Sequence, residues 1–171
     1  MTPARSARHP RVLAVHPTTR GFGWIVFESP MLPVTWGTAS ASAKRNARLI
    51  RRFARILRRN DPDVLVMEDF ASGVTKRGER TQQLCDEIAA AAQSSGLAVA
   101  VYPRFVIQAA LGVHKAATRR EVAEIIAERI EALRPRLPKE RKPWMPEMHT
   151  QSLFDAAAVA TAHFSANSRS A

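Results

Sequence analysis

The sequence predicts an α/β domain built on a mixed sheet with helices on both faces, and three observations carry that expectation. Three strand-like segments follow one another with short links, which favours an antiparallel meander. Two further apolar runs, 64–67 and 97–102, alternate with helical segments, as parallel strands joined by helical crossovers do. A length of 171 residues, with 46% hydrophobic and 24% charged residues, suits one compact core. The expected organisation is a disordered basic arm over residues 1–10, one domain over 11–164 and a frayed polar tail over 165–171.

The first three strands fall at 12–16, 21–28 and 34–40, rich in Val, Ile, Phe, Trp and Thr. Pro17 to Arg20 break the first pair, and Pro30 and Pro33 the second. A helix follows over 44–60. The run 64–67 behind Asp61-Pro62 reads as a strand buried on both faces, 79–94 as a helix stopped near Gly96, and 97–102 as a second buried strand before Pro103. Thr118-Arg119-Arg120-Glu121 has the spacing of a capping box, opening a helix whose core stripe is Val122, Ile125, Ile126, Ile130 and Leu133. A basic loop with Pro135, Pro138, Pro143 and Pro146 carries Trp144, and an alanine-rich helix over 151–164 ends the domain.

The net charge of +11 lies entirely at the N-terminal end. Residues 1–60 hold 12 Lys/Arg and one acid, Glu28, and residues 61–171 hold 14 of each, so the differences are 12 − 1 = 11 and 14 − 14 = 0. On the helix 44–60, Lys44, Arg45, Arg48, Arg51, Arg52, Arg55, Arg58 and Arg59 fill one arc, and Leu49, Ile50, Phe53, Ile56 and Leu57 fill the other. Cations without interspersed acids repel one another by a few tenths of a kcal/mol per pair. A polyphosphate backbone is the partner that best offsets that cost. The rival, an acidic membrane surface, is disfavoured because the apolar arc is needed for the core.

No apolar run approaches the ~20 residues of a membrane span. The single cysteine, Cys85, excludes a disulfide framework and a cysteine zinc cage, and its acidic neighbours disfavour a reactive thiolate. The arginine-rich start lacks the apolar stretch of a secretory peptide, so the expected location is a reducing cytoplasm. There is no P-loop, no Gly-x-Gly-x-x-Gly, no His-Glu-x-x-His and no Gly-x-Ser-x-Gly.

Glu68 and Asp69 end the fourth strand, where ligand sites form in open sheets. Asp155 interrupts an apolar run in the last helix. Its plainer reading is an acid stabilised by the helix dipole. His16 ends the first strand as a metal ligand, a phosphate contact or an ordinary strand-end residue.

Taken in order, these features resemble the RuvC family of Holliday junction resolvases, within the ribonuclease H-like nucleases. Residues 12–23 are similar to the family's first hairpin. Pro62-Asp63-Val64-Leu65-Val66-Met67-Glu68 resembles its strand ending in a catalytic Glu, residues 112–126 its glycine followed by a basic helix start, and Phe154-Asp155-Ala156-Ala157-Ala158-Val159-Ala160 its final catalytic helix. The resemblance implies a ribonuclease H-like sheet of three antiparallel then two parallel strands. It also implies a homodimer acting on four-way junctions, with the helix after Glu79 as dimer element, and carboxylates that hold a pair of Mg²⁺ or Mn²⁺ ions. Glu68 and Asp155 match ligand positions. The resemblance further implies nucleic-acid contacts from Arg119, Arg120, Lys115, Arg20, Lys76 and Arg77, and from Phe70, one position from the family's aromatic wedge.

The chain departs from the family at two of four metal positions. The strand-one Asp is replaced by His16, and the acid or histidine one turn before the last Asp by Ser152. A carboxylate bridges two ions, whereas an imidazole offers one lone pair and suits Zn²⁺ or Mn²⁺ better than Mg²⁺. Ile107 falls where the family carries a basic residue. Two functions are therefore expected: a structure-selective endonuclease using Glu68 and Asp155, with His16, Asp69 or His149 completing a rearranged metal site, or a catalytically impaired module that binds branched nucleic acid. An actin-like phosphate fold, which Thr18-Thr19-Arg20-Gly21 also resembles, needs two such lobes, and the chain has length for one.

Overall fold

The computed structural model describes residues 9–42, 46–70, 78–115 and 117–170. Most of the expected basic arm, and Lys44, Arg45, Lys76 and Arg77, lie outside the described residues.

Five strands form one sheet: β1 (Val12–Pro17), β2 (Gly21–Ser29), β3 (Leu32–Ser40), β4 (Val64–Glu68) and β5 (Ala98–Tyr102), in the order β3-β2-β1-β4-β5. The pairs β1–β2 and β2–β3 are antiparallel, and β1–β4 and β4–β5 are parallel. This is the expected mixed sheet. The β1–β2 turn is closed by Thr18, whose hydroxyl accepts from the backbone N–H groups of Arg20 and Gly21 at 3.2 Å each.

Helices cover both faces, and the two-residue period of the strands decides what each meets. Leu13, Val15, Val26, Leu65 and Met67 pack with Leu49 and Phe53 of α1 (Asn46–Asn60) and Leu84 and Ile88 of α2 (Glu79–Ser94). Val12, Ala14, Ile25, Phe27 and Val66 face the opposite way. They meet α3 (Arg104–Leu111), α4 (Arg119–Arg129) and α5 (Gln151–Arg169).

Four local departures from expectation have physical causes. β3 begins at Leu32 and includes Pro33, because an edge strand needs no ladder donor there and the pairing shifts register at Phe27. β5 is half-exposed rather than buried, since it forms the other edge. α4 stops at Arg129 instead of running to Leu133: Pro135 lacks an N–H and its ring opposes the carbonyl four residues back, so residues 131–136 form a 3₁₀ helix that still buries Leu133. α5 runs to Arg169, five residues past the expected end at Phe164.

α5 is buried from Gln151 to Ala162, and its small residues let its backbone approach the sheet. The approach is closest at Gly23, where an added Cβ would lie 2.2 Å from the Ser152 carbonyl carbon. No rotamer relieves a clash with backbone. Gly23→Ala is therefore expected to destabilise the protein by about 3 kcal/mol, the upper range for overpacking, as measured by urea unfolding. Gly78→Ala, with nothing within 4 Å of the added atom, should stay within about 1 kcal/mol of the parent. Equal midpoints for the two variants would refute this account of the α5 contact.

Candidate active site

The side-chain period that sorts the core also builds the site. His16 and Glu68 lie two residues beyond Ala14 and Val66, which are paired neighbours on the α5 face. Both side chains therefore emerge on that face at the C-terminal edge of the parallel strands. Asp155 comes from α5, one turn after Ser152 has met Gly23.

The three side chains converge. His16 Nδ1 lies 3.7 Å from Glu68 Oε2, and His16 Nε2 lies 3.6 Å from Asp155 Oδ2. His16 is 2% exposed, Glu68 6% and Asp155 9%. Two carboxylates thus flank one buried imidazole. The Phe70 ring meets the imidazole edge-on at 5.7 Å between centroids.

Two arginines balance the carboxylates. Arg104 Nε donates to Glu68 Oε1 at 3.0 Å, and Arg119 donates to Asp155 Oδ2 through one guanidinium nitrogen and to Glu147 through the other. Gln151 Nε2 bonds the Arg119 carbonyl at 3.0 Å and reaches Asp155 Oδ1 at 3.4 Å. Burial works against the Arg119 charge, but Asp155 and then Glu147 outweigh it and hold its pKa above the ordinary value. The guanidinium is a fixed cation at any working pH.

A cavity of about 60 Å³ opens on this group, room for roughly two water molecules. Its polar lining is His16, Glu68, Asp155, Arg104, Arg119 and Gln108, and its apolar wall includes Ile107, Leu111 and Val159. A water or two phosphate oxygens fit there. A nucleotide does not.

The remaining expected site residues are distributed differently. Asp69 is half-buried and does not line the cavity, although its backbone N–H holds the Tyr102 carbonyl at 2.8 Å. Ser152 is not placed as a ligand: its hydroxyl donates to the His149 carbonyl at 2.7 Å. His149 hydrogen-bonds the Ala39 carbonyl through Nε2 at 3.2 Å and lines an adjoining cleft with Thr18, Arg20 and Ser152. That cleft shares Arg119 with the cavity at His16, Glu68 and Asp155. Arg120 pairs with Glu124 one turn along α4 and ties the helix to the following loop through the Pro138 carbonyl, and Lys115 is exposed outside the cavity. Phe70 is 8% exposed and belongs to the core under α1 and α2.

Sequence reasoning missed Arg104, Glu147 and Gln151. Arg104 had a usable signal, because it follows the strand whose Tyr102 pairs with Glu68. Glu147 and Gln151 had none, since their role arises only when α4 and α5 pack together.

No family model and no curated protein matches the chain. Solved structures do. *Thermus thermophilus* RuvC in complex with a Holliday junction is 20% identical, with a TM-score of 0.70 over 95% of this chain and 97% of that one. The yeast mitochondrial Holliday junction resolvase is 15% identical, with a TM-score of 0.60 over 92% and 79%. The fowlpox virus resolvase, also with junction DNA, is 14% identical, with a TM-score of 0.55 over 91% and 99%. At these identities the likeness is one of fold, and the fold is ribonuclease H-like.

Two half-buried histidines, His149 and His163, make stability depend on pH. Burial lowers the pKa of His149, with the Ala39 hydrogen bond opposing and Arg20 assisting, and burial also lowers that of His163. The unfolded chain then binds more protons than the folded one just below about 6.5, so stability is complete above that pH and falls as pH drops toward the folded values. The urea midpoint should decrease between pH 7.5 and 5.5, and the paired change His149→Gln with His163→Gln should shrink that decrease. An undiminished pH dependence in the variant would show that other groups cause it.

Proposed function

We propose that the chain is a RuvC-like, structure-selective endonuclease acting on branched DNA, with Glu68 and Asp155 as its reaction-centre carboxylates. The observation that carries this reading is the meeting of those acids, remote in sequence, on either side of His16 in a water-sized cavity flanked by two arginines.

The residues act as follows. Arg104 and Arg119 present planar guanidinium forks suited to the non-bridging oxygens of a phosphodiester. When a phosphate enters, it competes for these donors and releases carboxylate oxygens toward the attacking water; Glu68 or Asp155 accepts the water's proton as its oxygen bonds to phosphorus, the phosphorus–oxygen bond to one strand end breaks, and that leaving oxygen takes a proton from solvent. Buried on both sides, the His16 imidazole holds the acids at a fixed separation. By residue type, two carboxylates and one imidazole suit Mn²⁺ or Zn²⁺ better than Mg²⁺, and Glu68, Asp155 and His16 would hold such an ion only once Arg104 and Arg119 release the acids, since as they stand the three are not disposed around a metal position. Such an ion supplies Lewis-acid polarisation and an acidified water.

Affinity in this reading comes from elsewhere as well. Arg48, Arg51, Arg52, Arg55, Arg58 and Arg59 of α1 are all exposed and form no ion pair among the described residues. Cutting two strands of a junction also calls for two sites, hence a homodimer, for which α2 is the proposed element.

A second reading, a module that binds branched DNA without cutting it, is favoured by a specific observation. Both acids are already engaged by Arg104, Arg119, Gln151 and His16, and among the described residues no group of three or more His, Cys, Asp or Glu side chains is disposed to hold a metal ion.

A cleavage assay on a four-way junction in Mg²⁺, Mn²⁺ and Zn²⁺ separates the two. The nuclease reading expects Mn²⁺-dependent cutting that Glu68→Gln or Asp155→Asn lowers by at least about a hundredfold, and expects His16→Asp to raise cutting in Mg²⁺. Tight binding with no cutting in any metal would establish the second reading. Binding should also weaken steeply with salt, and the triple change Arg51→Gln, Arg55→Gln, Arg58→Gln should reduce the log–log salt slope by about one per arginine. An unaltered slope would remove α1 from the interface.

A further inference from the structure

The loop between the 3₁₀ helix and α5 is unexplained by the reaction centre. It carries Trp144, the most exposed large hydrophobic side chain among the described residues at 77%. Exposed in this way, the indole offers solvent a large aromatic surface. Lys142 sets its ammonium 5.3 Å from the centre of the ring. The ammonium lies over one face of the ring, so a base would stack on the other.

The same loop borders a groove, which Pro143, the chain neighbour of Trp144, lines and Trp144 itself does not. A cleft of about 500 Å³ lies between it and the start of α4, lined by Arg119, Arg120, Lys139, Arg141 and Pro143 with Glu140 and Glu147. Glu147 is already paired with Arg119 and Arg141. Arg119 lines both this cleft and the cavity containing Asp155. Unlike that cavity, the cleft is large enough for a nucleotide, and the Arg119 guanidinium stands between the two spaces and lines both. The loop is braced rather than loose, because Arg120 holds the Pro138 carbonyl and Arg141 donates to the Met145 carbonyl at 2.6 Å.

We propose that this cleft and Trp144 form a subsite for an unpaired nucleotide next to the phosphate at the reaction centre, with the base stacked on the indole and the backbone held by Arg119, Lys139 and Arg141. The inference rests on the branched-DNA reading and names how the branch is recognised: duplex bases are already stacked, whereas a base freed at a branch or in a single strand gains an aromatic partner. Trp144 is a specificity-determining residue here and takes no part in bond breaking.

The test measures binding in EDTA, so hydrolysis does not enter. The probes are a four-way junction, a single-stranded oligo(dT) and a linear duplex of equal length. Trp144→Ala should weaken junction and oligo(dT) binding about tenfold, leave the duplex unchanged, and be rescued by Trp144→Phe. Saturating oligo(dT) should also quench tryptophan emission in the parent protein, and Trp144→Phe should abolish the quenching while Trp24 and Trp36 remain. Equal weakening on all three probes would mean that the loop supplies only charge, and undiminished binding or absent quenching would mean that the ring touches no base; either overturns the proposal. If the parent shows no preference for the junction over the duplex, the branched-DNA reading fails, and the oligo(dT) arm still decides whether Trp144 stacks.

Discussion

The backbone of α5 touches the backbone of the sheet at Gly23, and the site depends on that contact. Ser152 occupies the space a side chain on β2 would fill, which seats the following turn of α5 directly over the end of β1. Only then does Asp155 reach the imidazole of His16. A helix standing off by the usual thickness of a side chain would leave Asp155 above the cavity instead of in its wall. The alanines of α5 serve the same end, since each buries little volume and keeps the helix close along its length.

Charge is handled in two opposite ways on the molecule. At the candidate site each buried carboxylate has a guanidinium partner, as burial demands, because an uncompensated charge there would cost several kcal/mol. On α1 the arginines have no acid partners among the described residues, and exposure makes that tolerable. The first arrangement sets the geometry of a small space. The second, on the opposite face of the sheet, gives the molecule a broad positive field suited to a polyanion.

Aromatic side chains show how position alters role. Phe70 and Trp144 are both candidates for contacting bases by residue type. Phe70 lies just beyond β4 and is drawn into the core under α1 and α2, where it supports His16 from the side. Trp144 lies on a proline-rich loop with no apolar surface to cover it, so it stays in solvent beside basic residues. Burial covers one ring and leaves the other exposed.

The sequence by itself determined the strand and helix order, the mixed sheet, the amphipathic α1, the capping box at Thr118 and the pairing of Glu68 with Asp155 as candidates, because local periodicity and turn chemistry are written in neighbouring residues. It missed α3 as a separate helix, the end of α4, the edge position of β5 and the partners Arg104, Glu147 and Gln151. Those depend on which segments lie side by side. His149 and Ser152 were chemically suitable ligands, and only the packed structure turned one toward the Ala39 carbonyl and the other toward the helix backbone. Residue type sets what a side chain can do, and long-range packing decides which groups come within a bond length of one another.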